Sequence, residues 1–555
     1  MKKLSIVLAM FLLLSTLAAC QTTTPKTSTE PTETTETTNA TSEVVSVPTP
    51  DPNTRYEISY LGPWMTDMED DSYVEKLIEN ALNIELKPVK TLNGGEGVSV
   101  LVASGSLPDC MWLNDPGPND FYYKQELVRK IPRTMAEKYA PDFVKYYDKY
   151  PILWAQALLK NSKDELITLP GLTESFTDKL YTSANFYRYD WIKATGVDLG
   201  VNVEKATDNI YIAEKGITPA KYREMLDAFV NKDPDGNSKK DTIGAVGINL
   251  PIELMGFGIT KSDVMVNGQD EMYYVTEEYK QFLKFYQGLY KDGLLDKEIL
   301  TQKVDAAREK INKSIGGAWN SVTIALNGWA AGRPPLRLIK EKPDVELLMV
   351  PGLADENGDF GYSLAQTPKN GWFYVNAKVK DDGKLAKILQ FVNYCCFGEN
   401  IPSIMYGEEG VDWNMVDNKP VVKNPLTQGV KGTWSFGTEF AQVGKMWDWI
   451  TLQPTFMAGA KYYVSDFGGL WNKHIKTPER FDPLNKTDII NVRNEVQTKI
   501  DDVVNTFYSN SIMGLNDIDA SWDKYIADLK TAGYDKLMTE IRKMPTYQET
   551  IEKFK

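Results

Sequence analysis

The chain has 555 residues, with 62 Lys and Arg against 76 Asp and Glu, a formal net charge of -14, four cysteines and a single histidine. That balance argues against nucleic acid as a partner, because phosphate binding leans on clustered Lys and Arg, and one histidine excludes a histidine-rich metal centre. The length exceeds what one hydrophobic core supports, so at least two lobes are expected.

The first residues, "MKKLSIVLAMFLLLSTLAACQ", combine a positive start, an apolar run from Leu4 to Ala19 and small residues before Cys20. This is the pattern of a secretory signal. The run is too short for a comfortable membrane span, which needs about 20 apolar residues. Leu17-Ala18-Ala19-Cys20 resembles the lipobox of bacterial lipoproteins, which implies that 1–20 is a signal peptide and that Cys20 becomes the lipidated first residue. Residues 21–53 are mostly Thr, Ser, Pro and Glu, with little to bury, and are expected to form a disordered tether. Three further cysteines remain, Cys110 and the adjacent pair Cys395 and Cys396. Neighbouring cysteines rarely bridge each other, so no disulfide framework is expected and all three read as small buried apolar residues.

The body opens on "RYEISYLGPW", a strand, followed by a helix over "DDSYVEKLIENALNI" in which Ser72 and Glu75 form a capping box. "IELKPV" is a second strand, and "SVLVASGSLPDCMWLN" gives a helix, a turn and a third strand. This alternation predicts a mostly parallel α/β sheet, whose ligands sit beyond the carboxyl ends of the strands. Trp64 and the group Trp112, Asn114 and Asp115 are read as falling just past strand ends, and are the first candidates for a cleft. "KLYTSANFYRYDWIKATGVD" predicts a strand entering a helix at Asp190, and "TPAKYREMLDAFVNKD" a helix with Thr218 as its N-cap.

Next comes "DPDGNSKKD", with side-chain oxygens at Asp233, Asp235, Asn237 and Asp241. These positions, with the Lys239 carbonyl, match the first nine of an EF-hand calcium loop, but Gly236 is early and Gly244 replaces the closing Glu. A shortened calcium loop and a plain Asp-Pro-Asp-Gly-Asn turn both fit. Beyond it, "TEEYKQFLKFYQGLYKDGLL" is a helix capped by Thr276, and "NKSIGGAWNSVTIALNGW" a strand expected to stop at Gly316 and Gly317, ahead of Trp319. "NGWFYVNAKV" is a strand, "GKLAKILQFVNYC" a helix, and the chain from Thr487 is helical.

"LVASGSLPD", "YRYDWIKATGVD", "AFVNKDPDGNSKKDTIG", "YGEEGVDWNMVDNKP" and "SWDKYIADLKTAGYDKL", together with the lipobox, make the chain similar to the extracellular solute-binding lipoproteins of ABC sugar importers, in the group often labelled aldouronate or oligosaccharide binding. The resemblance implies a type II fold of two α/β lobes, joined by hinge strands and closing on a ligand between them. One lobe would hold 54–180 and 371–440, the other 181–370 and 441–555. It also implies cleft positions at Trp64, Trp112, Asn114, Asp115 and Trp319, with Arg188 as a further candidate. It favours calcium in the loop, held by Asp233, Asp235, Asn237, Lys239 and Asp241 in a structural role. Ser106 departs from the group, where an acid is frequent.

These residue types suit a sugar. Aromatic rings cover the C-H face of a pyranose, while Asp, Asn, Glu and Arg hydrogen-bond its rim of hydroxyls. The expected protein is a monomeric capture protein, not an enzyme, lipid-anchored to the outer face of the cell membrane and serving a permease. A secreted glycoside hydrolase would also use carboxylates and a Trp-lined cleft, though no acid/base pair is recognisable. A surface adhesin that does not close is the other alternative.

Overall fold

The structure is a computed structural model that describes Val47 to Thr546, apart from 63–69, 92–94, 114–119, 173–180, 248–253, 260–270, 327–332, 362–368, 398–399, 417–418, 424–453 and 477–485, together with Glu549, Glu552 and Lys553. The signal peptide and Cys20 lie outside the described residues. Residues 47–53, expected to belong to the tether, are bonded to the body. Lys138 Nζ donates to the Val47 carbonyl at 3.2 Å, Tyr139 to the Pro48 carbonyl and Asn83 to the Pro52 carbonyl.

Eleven strands build two sheets. In chain order they are β1 (Tyr56–Leu61), β2 (Ile84–Pro88), β3 (Cys110–Leu113), β4 (Leu169–Leu172), β5 (Ser183–Arg188), β6 (Val203–Lys205), β7 (Ile210–Ala213), β8 (Ile243–Ala245), β9 (Gly316–Val322), β10 (Leu347–Val350) and β11 (Lys369–Val375). The first sheet has the order β2-β1-β3-β11-β4, and the second β8-β9-β5-β10-β7-β6. Both are mixed. β1 is parallel to β2 and β3, whereas β11 is antiparallel to β3 and β4, and β5 is antiparallel to β9 and β10.

Helices form where the sequence supplies caps and apolar stripes. In α1 (Tyr73–Leu82) the Ser72 hydroxyl accepts from the Glu75 N–H at 3.1 Å, and the Glu75 carboxyl returns to the Ser72 backbone. Burial, then the neighbouring Glu79, push that carboxyl above its ordinary pKa. α2 (Tyr189–Thr195) ends at Gly196 in the left-handed region. α3 (Pro219–Asn231) and α4 (Glu277–Lys291) start at the N-caps Thr218 and Thr276, each accepting an N–H three residues on, worth about 1 kcal/mol apiece. α5 (Asp382–Cys396) carries the two adjacent cysteines. The C-terminal helices are α6 (Lys486–Ile512), α7 (Ile518–Ala532) and α8 (Tyr534–Ile541), the last two divided at Gly533.

The first sheet packs with α1 and α5 around Ile58, Met111, Phe373, Leu389 and the buried thiols of Cys110, Cys395 and Cys396, none of which is in a disulfide. The second sheet has a core on each face. α3, α4 and α6 to α8 cover one, around Leu226, Phe282 and Leu529, and the other gathers Phe186, Trp319, Leu338 and Trp471. A fully buried side chain of this kind contributes about 1.5–3 kcal/mol.

The glycines at 316 and 317 begin β9; the sequence pattern had placed the strand's end there. The reason is packing. A Cβ at Gly317 would stand 2.3 Å from Phe229 Cδ2 and 3.0 Å from Trp191, so the sheet admits these rings only where a side chain is missing. Gly317→Val is expected to lower the unfolding free energy by about 1–3 kcal/mol, as overpacked cores do. Chemical denaturation checks this, and an unchanged midpoint would show that the rings do not press on β9.

Candidate functional site

One edge of each sheet gathers the strand ends. β1, β3 and β4 finish, and β11 begins, along one edge of the first sheet, where Leu113 pairs with Trp372 and Leu172 with Lys369. In the second sheet β7, β8, β9 and β10 finish where β5 begins, with Val322 opposite Ser183 and Val350 opposite Asn185. Residues 173–180 connect β4 to Tyr181 just before β5, and 362–368 connect Gly361 to β11. Eight residues reach at most about 3.6 Å each. The chain thus passes from the carboxyl end of β4 in the first sheet to the start of β5 in the second.

Trp64, Asn114 and Asp115 lie outside the described residues, in the segments that leave β1 and β3. Because those strands are parallel neighbours, both segments depart from the same edge. Trp112 lies within β3, opposite Phe373, and is 2% exposed; its ring crowds Gly371, which sits at φ +79°. Trp319 lies in mid-strand on β9, 5% exposed and stacked on Phe186 at 5.8 Å. Neither tryptophan follows a strand end, because each strand runs one or more residues further than the pattern suggested.

Arg188 ends β5 opposite Leu347, at the edge away from the gathered strand ends. It is 5% exposed. Its guanidinium grips Asp190 bidentately, Nε to Oδ1 at 2.8 Å and Nη2 to Oδ2 at 2.5 Å, and reaches Ser314 Oγ at 2.5 Å while lying over the Trp191 ring. Its charge is spent tying α2 and the start of β9 to the sheet.

The loop after α3 bends through left-handed residues at Asp233, Gly236 and Ser238. Asp233 Oδ2 accepts the Ser238 N–H at 2.9 Å, while Asp233 Oδ1 is buried without a hydrogen-bond partner. The Asn237 amide donates to Asp235 Oδ2 at 2.8 Å and to Asp241 at 3.2 Å. Burial first, then the carboxylates of Asp233 and Asp241, raise the Asp235 pKa. Among the described residues no three or more His, Cys, Asp or Glu side chains are gathered tightly enough to hold a metal ion by themselves. The loop would need its Asn and backbone oxygens, and the amide now occupies the point on which the carboxylates converge. Turning that amide so that its oxygen faces inward would present oxygens alone, the donor set that suits a hard divalent cation.

At the carboxyl edge of the second sheet the structure adds polar groups that the sequence pattern passed over. Exposure rises along β9, from buried Ala318 and Trp319 to half-buried Asn320 and Ser321 and then exposed Val322. Thr182 and Ser183 stand beside them on the neighbouring strand, half-buried. The signal was the polar "NSV" that ends an otherwise apolar strand. Two surface hollows of about 420 and 370 Å³ lie elsewhere, one beside Asn80, Lys387 and Tyr394, the other between α6 and α7 at Phe507 and Tyr525. Neither touches the gathered strand ends.

Residues 486–544 match a family described as a domain of unknown function, DUF3502. The lipoprotein LipO of Bacillus subtilis (strain 168) is 31% identical over 234 residues, 40% of this chain and 41% of LipO. The fructooligosaccharide ABC transporter substrate-binding protein FusA of Streptococcus pneumoniae serotype 4 is 27% identical over 215 residues, 36% of each chain. The matched stretches thus span well under half of these relatives. Among solved structures, an EF-hand mutant of S. pneumoniae FusA in complex with fructo-nystose superposes with a TM-score of 0.65 at 15% identity, over 90% of this chain and 99% of that one. The alginate-binding protein AlgQ2, without calcium ion, gives 0.60 at 18%, over 89% and 98%. The chain therefore shares the two-lobed type II fold of these solved proteins, and over part of its length is similar in sequence to the lipoprotein LipO and the substrate-binding protein FusA.

Proposed function

We propose that the chain is a substrate-binding protein that captures an oligosaccharide between two lobes and hands it to an ABC importer in the membrane. The observation that carries this reading is a fold shared along nearly its whole length with a protein solved around fructo-nystose, in which the chain passes from the carboxyl end of β4 in one sheet to β5 in the other. One lobe comprises 54–180 and 371–440, the other 181–370 and 441–555, in keeping with the separate cores of the two sheets. Trp64, Asn114 and Asp115, leaving adjacent parallel strands, supply ring and polar contacts from the first lobe. The role is capture without chemistry, a reading supported by the kinship to FusA, which is named as a substrate-binding protein. Cys20 carries a lipid that holds the body at the outer face of the membrane, in line with the kinship to a lipoprotein. Among the described residues no helix is long and apolar enough to cross a membrane.

The loop at 233–241 holds a calcium ion through Asp233, Asp235, Asn237, the Lys239 carbonyl and Asp241. The unpartnered Asp233 oxygen and the mutual repulsion around Asp235 support this. When bound, the ion would neutralise the loop's carboxylates. The residues themselves fix the turn between α3 and β8, and no bond is made or broken there.

A thermal-shift screen over kestose, nystose and alginate oligomers tests the capture reading. A sugar at a hundred times its Kd adds about 2.7 kcal/mol of stability, and Trp64→Ala is expected to weaken its binding by about 2 kcal/mol, as buried aromatic anchors do. Shortened sugar products after incubation would point to a hydrolase and overturn the reading.

Calcium is expected to stabilise the protein, and Asp235→Asn to remove the effect. Because Asp235 must be ionised to bind, and its pKa is raised, calcium stabilisation should fade on acidification at a higher pH than for an ordinary Asp. In the metal-free protein the sign reverses. The folded state binds the Asp235 proton more tightly than the unfolded chain, so this contribution is present at low pH and lost as pH rises through the raised value. Melting curves with and without calcium across pH 3 to 7 measure both, and a calcium effect that survives in Asp235→Asn would remove the loop from the account.

A further inference from the structure

Ahead of β1, residues 47–54 read Val-Pro-Thr-Pro-Asp-Pro-Asn-Thr, with proline at every second position from Pro48 to Pro52. Each proline fixes its φ and lacks an N–H, so the segment is stiff before it docks and carries few donors to satisfy. Its oxygens meet donors on the first lobe. Lys138 Nζ donates to the Val47 carbonyl at 3.2 Å and to Thr49 Oγ1 at 3.0 Å, and the Tyr139 hydroxyl donates to the Pro48 carbonyl. Asn83 Nδ2 donates to the Pro52 carbonyl at 3.3 Å. Between these points Asp51 closes a turn, its carboxylate accepting from the Asn53 N–H and the Thr54 hydroxyl at 2.9 Å each. Val47 packs half-buried on the core of the first sheet. Lys138 and Tyr139 end the helix Arg133–Tyr139, which packs on α5, and Asn83 directly precedes β2, whose Ile84 pairs with Tyr56 at the start of β1. Asn83 therefore stands where β1 and β2 begin, at the opposite edge of the sheet from the gathered strand ends.

We propose that residues 47–54 are an anchoring strap, which fixes on the first lobe the point where a lipid-bearing tether leaves the body and so turns the side bearing Lys138, Tyr139 and Asn83 toward the membrane. This rests on the reading of Cys20 as lipidated, and adds to it the surface of the body that meets the bilayer. The length of the tether makes the exit point decisive. A coil of the 26 residues from Gln21 to Ser46 has a root-mean-square span of about 28 Å. A folded chain of about 500 residues has a radius of gyration of about 23 Å, so the coil spans less than the body's width. The side from which the tether departs is then held nearest the lipid. Because the strap binds first-lobe residues alone, the second lobe and the ligand edge stay clear of the tether.

The full-length protein, isolated with its lipid and reconstituted in phosphatidylcholine liposomes, tests this with two labels. Cys110, Cys395 and Cys396 are buried, so an added surface cysteine takes the label. A nitroxide on Pro48→Cys, a substitution that keeps the carbonyl, should show restricted motion. Lys138→Ala combined with Tyr139→Phe and Asn83→Ala should release it to free tumbling, and Lys138→Ala alone, at an exposed position, should do so in part. A donor dye is then placed on Thr134→Cys, exposed on the helix that holds the strap, or on Lys530→Cys, exposed on α7 of the second lobe. Energy transfer to an acceptor on the lipid headgroups should be at least about twofold greater from Thr134→Cys, and the ratio should fall in the triple variant. Free tumbling of the nitroxide with Lys138, Tyr139 and Asn83 in place, or equal transfer from the two dyes, overturns the inference and leaves the lipid reading standing. Protein that does not float with the liposomes defeats the lipid reading, and the membrane-facing assignment falls with it.

Discussion

The structure depends on one constraint of connectivity. A segment of eight residues, 173–180, runs from the carboxyl end of β4 to Tyr181 just before β5, and one of seven, 362–368, runs from Gly361 to β11. The chain therefore crosses from one sheet to the other at the end where their strands finish. Loops leaving parallel strands carry the side chains least tied to packing, so a fold of this kind concentrates its variable chemistry at one end of both sheets. The rest of the molecule secures the two platforms. Buried cysteines, the Cys110 strand and α5 fill one interior, while the rings around Phe186, Trp319 and Trp471 fill the other.

Charge is divided between structural and functional ends. Arg188 is placed where a cation does most for the scaffold: 5% exposed, forked onto Asp190 and lying over Trp191, it links α2, β5 and the turn before β9. A buried ion pair stabilises little in itself, but removing one partner leaves the other stranded, so such a pair acts mainly to fix geometry. At the opposite edge the second sheet presents amides and hydroxyls, groups that hydrogen-bond a polyol without a large desolvation cost. The Asp-rich loop is different in kind from either: two carboxylates, Asp235 and Asp241, accept from the one Asn237 amide.

Much of this was legible in the chain. Capping pairs at Ser72, Thr218 and Thr276 marked helix starts because an N-cap is a local bond between residues three apart. The alternation of strands and helices gave the α/β class. What the sequence did not carry depended on contacts distant along the chain. Gly316 and Gly317 look like a strand terminus, yet they open β9 because Phe229 and Trp191 occupy the space a side chain would need. Trp112 and Trp319 look like cleft rings, and only the pairing with Phe373 and Phe186 shows them as interior. Arg188 next to aromatic residues suggests a ligand contact, and the Ser314 bond, 126 residues away, redirects it.

The central claim is that two lobes close on a sugar. Small-angle scattering of the body, recorded alone and then with saturating kestose or whichever oligosaccharide it binds, measures it most directly. The account predicts a smaller radius of gyration and a shorter maximum dimension in the sugar-bound protein. Binding with an unchanged scattering curve would contradict it and favour a surface that grips its polymer without closing.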